Sequence, residues 1–201
     1  MEFSKDSKFH QQLVIVNGTL PAVLVAIDWW RGNLGANPAE FVTRATGVMT
    51  LVFLVLTLMV TPLRKLFGWN WLLKQRRLIG LFAFYYGCAH LLTYFSFDRD
   101  WHLLTVWPDI LKRRFIAVGM ISFLLMVPLA ATSTNAMIKR LGGKRWRQLH
   151  RLTYYVAIGG VIHYLMIVKS DIRYPMAFAI AVVVLLGYRV VDKGKPSAKT
   201  A

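Results

Sequence analysis

Residues 47–66 read GVMTLVFLVLTLMVTPLRKL, an apolar run of 20 residues with an Arg-Lys pair just before its end. An α-helix rises about 1.5 Å per residue, so about 20 apolar residues cross the hydrocarbon core of a bilayer. Five further windows of this kind occur along the chain: Leu13–Trp30, Leu78–Phe97, Phe115–Thr134, Leu152–Val168 and Pro175–Val191. The pattern predicts an all-α integral membrane bundle of about six transmembrane helices in one domain, residues 1–201. The connections are expected to be short except for Asp98–Arg114.

The composition agrees with a membrane protein and argues against a soluble nucleic-acid-binding protein. Hydrophobic residues make up 56% of the 201 residues, above the roughly 45–50% of an average soluble domain. The formal net charge is +16, which in a soluble protein would favour nucleic acid as the partner. Here the basic residues are collected between the apolar windows, so we expect them to contact anionic lipid and not nucleic acid.

The basic residues also predict the orientation of the chain. If the six windows cross the membrane in turn, 17 Lys and Arg residues lie on the side of both termini and eight lie on the other side. Basic loops stay in the cytoplasm, so both termini are predicted to be cytoplasmic. The polar segment before Leu13 lacks the pattern of a cleavable signal peptide, so the first window is expected to remain as a helix.

Two histidines lie inside the predicted helices, where ionisable side chains are costly and mark functional sites. His90 lies 12 residues into the third window and His163 lies 11 residues into the fifth, and these two helices run in the same direction. At about 1.5 Å per residue, both lie roughly 17–20 Å from the cytoplasmic face. Two imidazoles at matched depth can ligate one haem iron from opposite sides. His10 and His102 fall in polar segments and are expected to be solvated.

Glycines accompany both histidines at helical spacing. Gly87 precedes His90 by three residues, and Gly159 and Gly160 precede His163 by four and three, so they share a helix face with the histidines. A face cleared of side chains leaves room for a flat macrocycle beside its ligand. Glycines also permit close helix packing, with each histidine bonded to a neighbouring helix, and the sequence leaves both interpretations open.

A second group of polar residues falls near the cytoplasmic ends of the same two helices. His150 precedes His163 by 13 residues, about 20 Å along a helix, so the two cannot bind one iron. The matching depth on the third helix is occupied by Arg76 and Arg77, and no histidine stands there as a second ligand. Arginines at this level suit haem propionates or a flavin phosphate, and they also suit ordinary basic flanking of a membrane helix.

Motifs that are absent limit the chemistry. Cys88 is the only cysteine, so neither an intrachain disulfide nor a C-x-x-C-H haem attachment site is possible, and any haem would be held non-covalently. Gly142-Gly143-Lys144 lacks the rest of a phosphate-binding loop, and no G-x-G-x-x-G dinucleotide fingerprint is present. Electrons would therefore come from membrane quinol, a bound flavin or a separate reductase. The predicted helices lack paired carboxylates, so substrate chemistry is expected on a partner.

Several short segments form a specific pattern by their order and spacing. The most distinctive are STNAM at 133–137, GKRWRQLH at 143–150, IHYL at 162–165 and VK at 168–169. Further pieces are LGANP at 34–38, TPL at 61–63, RRLIGL at 76–81 and HLLTY at 90–94. Over nearly its whole length the chain resembles the MsrQ (YedZ) family within the ferric-reductase-like transmembrane group. Members of that family are the haem-binding membrane subunits of the bacterial periplasmic methionine sulfoxide reductase system.

The resemblance implies a single ferric-reductase-like transmembrane domain that binds haem b, one or two per chain, on the histidines matching His90, His150 and His163. It also implies FMN as a cofactor, the bacterial inner membrane as the location, and a periplasmic molybdenum-cofactor subunit as the partner that reduces methionine sulfoxide in oxidised proteins. The wider group often holds two stacked haems on two histidine pairs. Arg76 or Arg77 stands here where one of those histidines would be, so the ligation of an inner haem stays open.

The function predicted from the sequence is transmembrane electron transfer. Membrane quinol, a reduced flavin or a cytosolic flavin reductase would donate near His150, and a periplasmic partner would dock on Arg31–Thr46 and Asp98–Arg114. Two other functions remain open. A small transporter or proton channel would use the histidines as relay groups and would be colourless when purified. In a subunit with a purely structural role, histidine replacement would lower the stability of the protein and leave its visible spectrum unchanged.

Overall fold

The computed structural model describes residues 7–193, which fold as a bundle of α-helices. The helices in this range are α1 Ser7–Trp30, α2 Pro38–Phe67, α3 Leu72–Thr93, α4 Val106–Lys112, α5 Arg114–Ala131, α6 Asn135–Leu149, α7 Leu152–Ile167 and α8 Arg173–Lys193. A π-helical turn, Tyr94–Asp98, extends α3, and a 3₁₀ turn, Leu103–Thr105, precedes α4. No strand occurs in the described range, so the predicted all-α class is confirmed.

All six predicted apolar windows coincide with helices. Five of these are long and apolar enough to cross a membrane: Lys8–Trp30, Pro38–Phe67, Leu72–Asp98, Arg114–Ala131 and Arg173–Asp192. The sixth, α7, is equally apolar but has 16 residues, fewer than the about 20 that a full span needs. The membrane-bundle prediction is therefore confirmed, with one helix shorter than the rest.

Helix α2 begins nine residues before its predicted window because its capping residues lie upstream. Asn37 accepts a hydrogen bond from the backbone N–H of Glu40 at 3.1 Å, and Pro38 occupies the first turn, where proline is well tolerated. The helix ends where Gly68 adopts a left-handed conformation (φ 70°) and donates its N–H to the Arg64 carbonyl. The added turns place the backbone of α2 beside the histidine site described below.

The segment between α5 and α7, expected to be a loop, is helix α6. Its many basic residues hid it from a search for apolar windows, and none of its side chains is buried. Thr134 caps the helix by accepting a hydrogen bond from the Met137 N–H at 3.2 Å, and Gly142 (φ 75°) interrupts it. The expectation that Asp98–Arg114 is the one long connection was therefore wrong.

Contacts between helix ends define two ends of the bundle. The start of α1 meets the start of α3, where the rings of His10 and Trp71 stack with centroids 4.4 Å apart. The ends of α2 and α8 meet at an ion pair, with Lys65 Nζ 2.5 Å from an Asp192 oxygen. We call this the basic end, since it also carries α6, and we call the other end, with Asn37 and α4, the distal end. Both ends of the described chain lie at the basic end.

The core lies where α2 packs against α3, α7 and α8. Leu58, Ala83 and Ala157 are completely buried there, and the two alanines let helix backbones approach closely. Large apolar side chains on the outer faces, such as Val183 and Val190 of α8, are exposed. A surface of this kind suits lipid as the surrounding medium.

Candidate functional site

His90 and His163 lie together near the distal end of the bundle. His90 is three residues before the end of α3, and His163 is four residues before the end of α7. Their ring centroids are 6.1 Å apart and their planes are inclined by 82°. Two histidines that the sequence placed at matched depth on parallel helices therefore form an adjacent pair.

Backbone carbonyls orient both imidazoles. His90 Nδ1 is 2.9 Å from the Thr43 carbonyl oxygen of α2, and His163 Nδ1 is 2.6 Å from the Phe115 carbonyl oxygen of α5. A carbonyl oxygen only accepts hydrogen bonds, so the proton of each neutral ring lies on Nδ1. Each Nε2 is left with a free lone pair, which is the arrangement found in histidines that ligate metals.

Glycines on the neighbouring helices make room for these hydrogen bonds. Gly47 and Gly119 each lie four residues after the accepting carbonyl, one turn further along the same helix face. A Cβ on Gly47 would lie 3.1 Å from His90 Nδ1, and a Cβ on Gly119 would lie 2.7 Å from His163 Nδ1. Ordinary contacts of a Cβ are 3.4–4 Å, so alanine would displace the ring. These glycines were not predicted, because they lie on helices other than those of the histidines.

The separation of the histidine pair is compatible with one iron shared by both imidazoles. With metal–nitrogen bonds of about 2.0 Å and about 1.1 Å from each nitrogen to its ring centre, two imidazoles on one metal have centroids about 6.2 Å apart. The observed separation is 6.1 Å. Within residues 7–193, no three His, Cys, Asp or Glu side chains cluster as a metal site would require. A two-histidine donor set suits a haem iron and does not suit a structural zinc ion.

His150 lies at the basic end, between α6 and α7, and contacts neither histidine of the pair. Its Nε2 is 3.1 Å from the Thr132 hydroxyl, and its ring stacks on Trp146 with centroids 3.9 Å apart. The Trp146 indole donates to the Thr132 carbonyl at 2.9 Å. Burial, with a contribution from the charge of Arg76, lowers the pKa of His150 to about 4. The ring is therefore neutral at pH 7.

Arg76 and Arg77 lie at the same end but have different surroundings. Arg77 donates from Nη1 to the side-chain oxygen of Asn135, at the start of α6, at 2.7 Å. With Lys74 it lines a polar cavity of about 460 Å³. Arg76 is partly buried and interacts electrostatically with His150. The two arginines predicted at this depth therefore lie in different surroundings, Arg77 beside the polar cavity and Arg76 near His150.

Comparison with known proteins identifies the family. The family described as ferric reductase like transmembrane component matches residues 46–161, more than half of the chain. The protein-methionine-sulfoxide reductase heme-binding subunit MsrQ of Azospira oryzae is 54% identical over 87% of this chain and 75% of that protein. Subunits of the same name are 47% identical in Herminiimonas arsenicoxydans (90% of this chain, 84% of the relative) and 48% identical in Rhodospirillum rubrum (89% and 86%). The chain belongs to the MsrQ family.

Membership of the MsrQ family confirms the resemblance predicted from short sequence segments. With a transmembrane family model and five helices of spanning length, the chain is a multi-pass membrane protein. The family-model match includes His90 and His150 and ends two residues before His163. The alignments with the relatives extend over nearly the whole chain and therefore include position 163.

In this MsrQ-family chain, the glycines predicted beside the histidines lie at helix contacts. A Cβ on Gly87 would meet side chains of α5 at 3.6 Å, and a Cβ on Gly160 would lie 2.9 Å from Leu51 Cδ2 of α2. A Cβ on Gly159 would collide with the Ser122 hydroxyl of α5. All three thus permit close packing, one of the two interpretations that the sequence left open. Their place beside a cofactor stays a prediction.

The two histidines expected to be solvated differ from each other. His102 is exposed, as predicted. His10 is 5% exposed, and its ring stacks on Trp71. The prediction for His10 was wrong because α1 begins at Ser7, which places this histidine inside a helix and not in a polar tail.

The distal end of this MsrQ-family chain also carries an ionic network. Asp109 is buried, pairs with Arg113 and with Arg99 at 3.0 Å, and accepts a hydrogen bond from the Tyr94 hydroxyl at 2.7 Å. Arg113 also pairs with Asp98 at 2.5 Å. The Arg113 guanidinium holds the pKa of Asp109 below its usual range, and hydrogen bonds to the two carboxylates raise the pKa of Arg113. The network ties the connection between α3 and α5 to the bundle.

Proposed function

We propose that this chain is the haem b-binding electron-transfer subunit of a methionine sulfoxide reductase system in the bacterial inner membrane. The observation that carries the proposal is the pair of His90 and His163, 6.1 Å apart and each hydrogen-bonded through Nδ1 to a backbone carbonyl. The MsrQ proteins similar to this chain are named heme-binding subunits, which supports the same cofactor here. With Cys88 as the only cysteine, the haem would be held by iron ligation and packing, as in b-type proteins.

The residues of the site would hold and orient this cofactor. A haem bound there supplies one-electron chemistry. The two carbonyl bonds fix the ring tautomers, leave Nε2 as the ligand atom of each histidine, and increase the basicity of both ligands.

The membrane orientation in this proposal follows the distribution of basic residues. The basic end of the bundle, with both ends of the described chain, would face the cytoplasm, and the distal end would face the periplasm. The count of 17 Lys and Arg against eight supports this direction. His90 and His163 would then lie in the periplasmic half of the membrane.

Electrons would enter at the cytoplasmic side, from membrane quinol, from bound FMN or from a flavin reductase. His150 offers a neutral imidazole there, and Arg76 and Arg77 offer guanidinium groups for propionate or phosphate oxygens. We assign the FMN phosphate to the polar cavity beside Arg77, where Lys74 adds a second positive charge. A second haem at this end would have His150 as one ligand.

Electrons would leave to a periplasmic molybdenum-cofactor subunit that reduces methionine sulfoxide in oxidised proteins. His90 is three residues from the end of α3, about 5 Å along the helix axis. A partner docked on residues 31–46 and 98–114 would therefore come close to the histidine pair. The chain would supply electrons, and substrate chemistry would take place on the partner.

The reduced-minus-oxidised visible spectrum of the detergent-purified protein tests the proposal. Wild type is compared with His90→Ala and His163→Ala, and with His102→Ala as a control in which an exposed histidine is lost. We expect sharp b-type bands in the wild type and in His102→Ala. Both variants of the pair should lose the bands that depend on the shared iron.

Two results would contradict the proposal. A colourless wild type, expressed with ample haem, would overturn electron transfer and favour the transporter or proton channel. Unchanged bands in both His90→Ala and His163→Ala would show that the pair does not hold the iron.

A further inference from the structure

Arg189 is a buried arginine near the basic end of α8, and the proposed function does not use it. The residue is 7% exposed. Its Nη2 donates to the Leu58 carbonyl of α2 at 2.6 Å and to the Thr61 hydroxyl at 3.3 Å. Its guanidinium carbon lies 5.1 Å from the centre of the Tyr154 ring of α7. Helices α2, α7 and α8 therefore enclose this charge.

The other terminal nitrogen of Arg189, Nη1, is buried and has no hydrogen-bond partner. Among the side chains that the structure describes, it is the one buried nitrogen or oxygen in this condition. Buried polar atoms are nearly always hydrogen-bonded, and an unpaired donor on a charged group is especially costly. Ionisable groups inside membrane helices also mark functional sites. The orphaned Nη1 therefore points to a partner from outside the chain.

Arg76 brings a second positive charge to the same place from α3. It interacts electrostatically with both Arg189 and Tyr154. Neither arginine forms an ion pair with a carboxylate of the described chain, and Asp192, one turn beyond Arg189, pairs with Lys65. A cation in surroundings of low dielectric constant is stabilised by a nearby anion. The cluster therefore lacks a negative charge.

We propose that an oxyanion, a carboxylate or a phosphate, binds against Nη1 of Arg189 with Arg76 as its second cation. A guanidinium can donate in parallel to two oxygens of such a group. The negative charge would satisfy the buried donor and balance the two positive charges, whereas a water molecule would do only the first. Two sources offer this chemistry: the phosphate of a phospholipid headgroup, and an acidic group of a tightly bound cofactor. The cofactor source rests on the proposed function.

Three glutamine variants test the site. Arg189→Gln removes the orphaned donor and its charge. Arg76→Gln removes the second charge and leaves the hydrogen bonds from Arg189 to α2 in place. Arg140→Gln is the control, because it removes the same charge from an exposed position on α6. Each protein is purified in detergent and analysed by native mass spectrometry for retained phospholipid, and its rate of haem release and midpoint potential are measured.

Each source of the anion predicts a different result. For a phospholipid, wild type and Arg140→Gln retain one lipid per chain, both site variants lose it, and Arg189→Gln releases haem at the wild-type rate. For a carboxylate of the haem, lipid content is unchanged, and both site variants release haem about tenfold faster or more, because each loses a hydrogen bond between charged groups. Their midpoint potential also falls, because loss of a nearby positive charge favours the oxidised iron.

The proposal would be overturned if all three variants had the same lipid retention, haem release and midpoint potential. Arg189 would then serve only to link α8 to α2 by hydrogen bonds. If Arg189→Gln does not fold, Arg76→Gln decides alone, because Arg76 donates no hydrogen bond to another helix in the described chain. Lipid retention can be measured without haem. A failure of the electron-transfer proposal is therefore distinguishable from a failure of this one.

Discussion

Replacing Gly119 with alanine should weaken cofactor binding by disturbing His163, although residue 119 itself carries no ligand atom. A Cβ at this position would lie 2.7 Å from His163 Nδ1 and Cε1, and ordinary contacts begin at 3.4 Å. The ring must therefore retreat by about 0.7 Å. Along the hydrogen bond, this takes the distance from Nδ1 to the Phe115 carbonyl from 2.6 Å to about 3.3 Å, beyond the normal range.

The expected magnitude follows from the loss of this hydrogen bond. Removing an outer-shell partner of a metal-ligating histidine weakens metal binding by about 10–100-fold, or about 1.4–2.8 kcal/mol. The stability of α5 itself should change in the opposite direction, because alanine is favoured over glycine in a helix by about 1 kcal/mol. A loss of haem together with an unchanged or higher unfolding temperature of the haem-free protein would separate this mechanism from general destabilisation.

The assay is the transfer of haem from purified protein to an excess of an apo-globin acceptor, followed by absorbance. Gly47→Ala provides a graded comparison, since its Cβ would lie 3.1 Å from His90 Nδ1 and needs only a small displacement. Gly187→Ala is the matched control, because no atom lies within 4 Å of a Cβ on that exposed position of α8. We expect haem loss to be fastest for Gly119→Ala, intermediate for Gly47→Ala and unchanged for Gly187→Ala.

The reasoning would be refuted by Gly119→Ala that releases haem at the wild-type rate with an unaltered spectrum. Equal acceleration in Gly119→Ala and Gly187→Ala would also refute it. That result would mean that any added methyl group in these helices disturbs the site, and that the carbonyl contact has no special role.

Three further predictions concern the ends of the bundle. Asp109→Asn should lower the free energy of unfolding by about 1–3 kcal/mol, because Arg113 loses its buried partner. The folded-state pKa of Asp109 is lowered. The stability that its carboxylate contributes is therefore fully present above the unfolded pKa of about 3.9 and is lost as the pH falls through the folded-state pKa. The unfolding temperatures of wild type and variant should therefore converge in acid. Lys65→Met should cost less than about 1 kcal/mol, because its pair with Asp192 is partly exposed, and high salt should remove the difference. Thr134→Ala should destabilise α6 by about 1 kcal/mol, because the helix loses its N-terminal cap. Proteolysis or hydrogen exchange should therefore become faster in α6 and not in α5.

The apolar helices could be predicted from sequence because the bilayer imposes length and composition on each span separately. Residues 47–66, 78–97 and 115–134 satisfy these demands without reference to any other part of the chain. Helix α6 could not be found this way, because it is polar and its start depends on a single cap at Thr134. The upstream start of α2 was missed for the same reason, since Asn37 and not hydropathy sets it.

The histidine pair was also accessible from sequence, because a fixed helical rise converts residue counts into depth. What could not be predicted is which helices stand next to each other. Gly47 and Gly119 act on histidines of other helices, and no local spacing connects them. Arg189 is one of the 17 Lys and Arg residues counted on the side of the termini, and only the packing of α8 on α2 shows that it is buried.

The two carbonyl–imidazole bonds divide the chain into halves that each prepare one ligand. Thr43 and His90 belong to α2 and α3, and Phe115 and His163 belong to α5 and α7, with partners 47 and 48 positions apart. Neither half has a complete site, so a molecule bound between the histidines acts as a bridge between them. A chain cut near the exposed His102 would yield two fragments whose reassembly is strengthened by the cofactor, because only the joined state binds it. Complementation of such fragments would report cofactor insertion inside living cells.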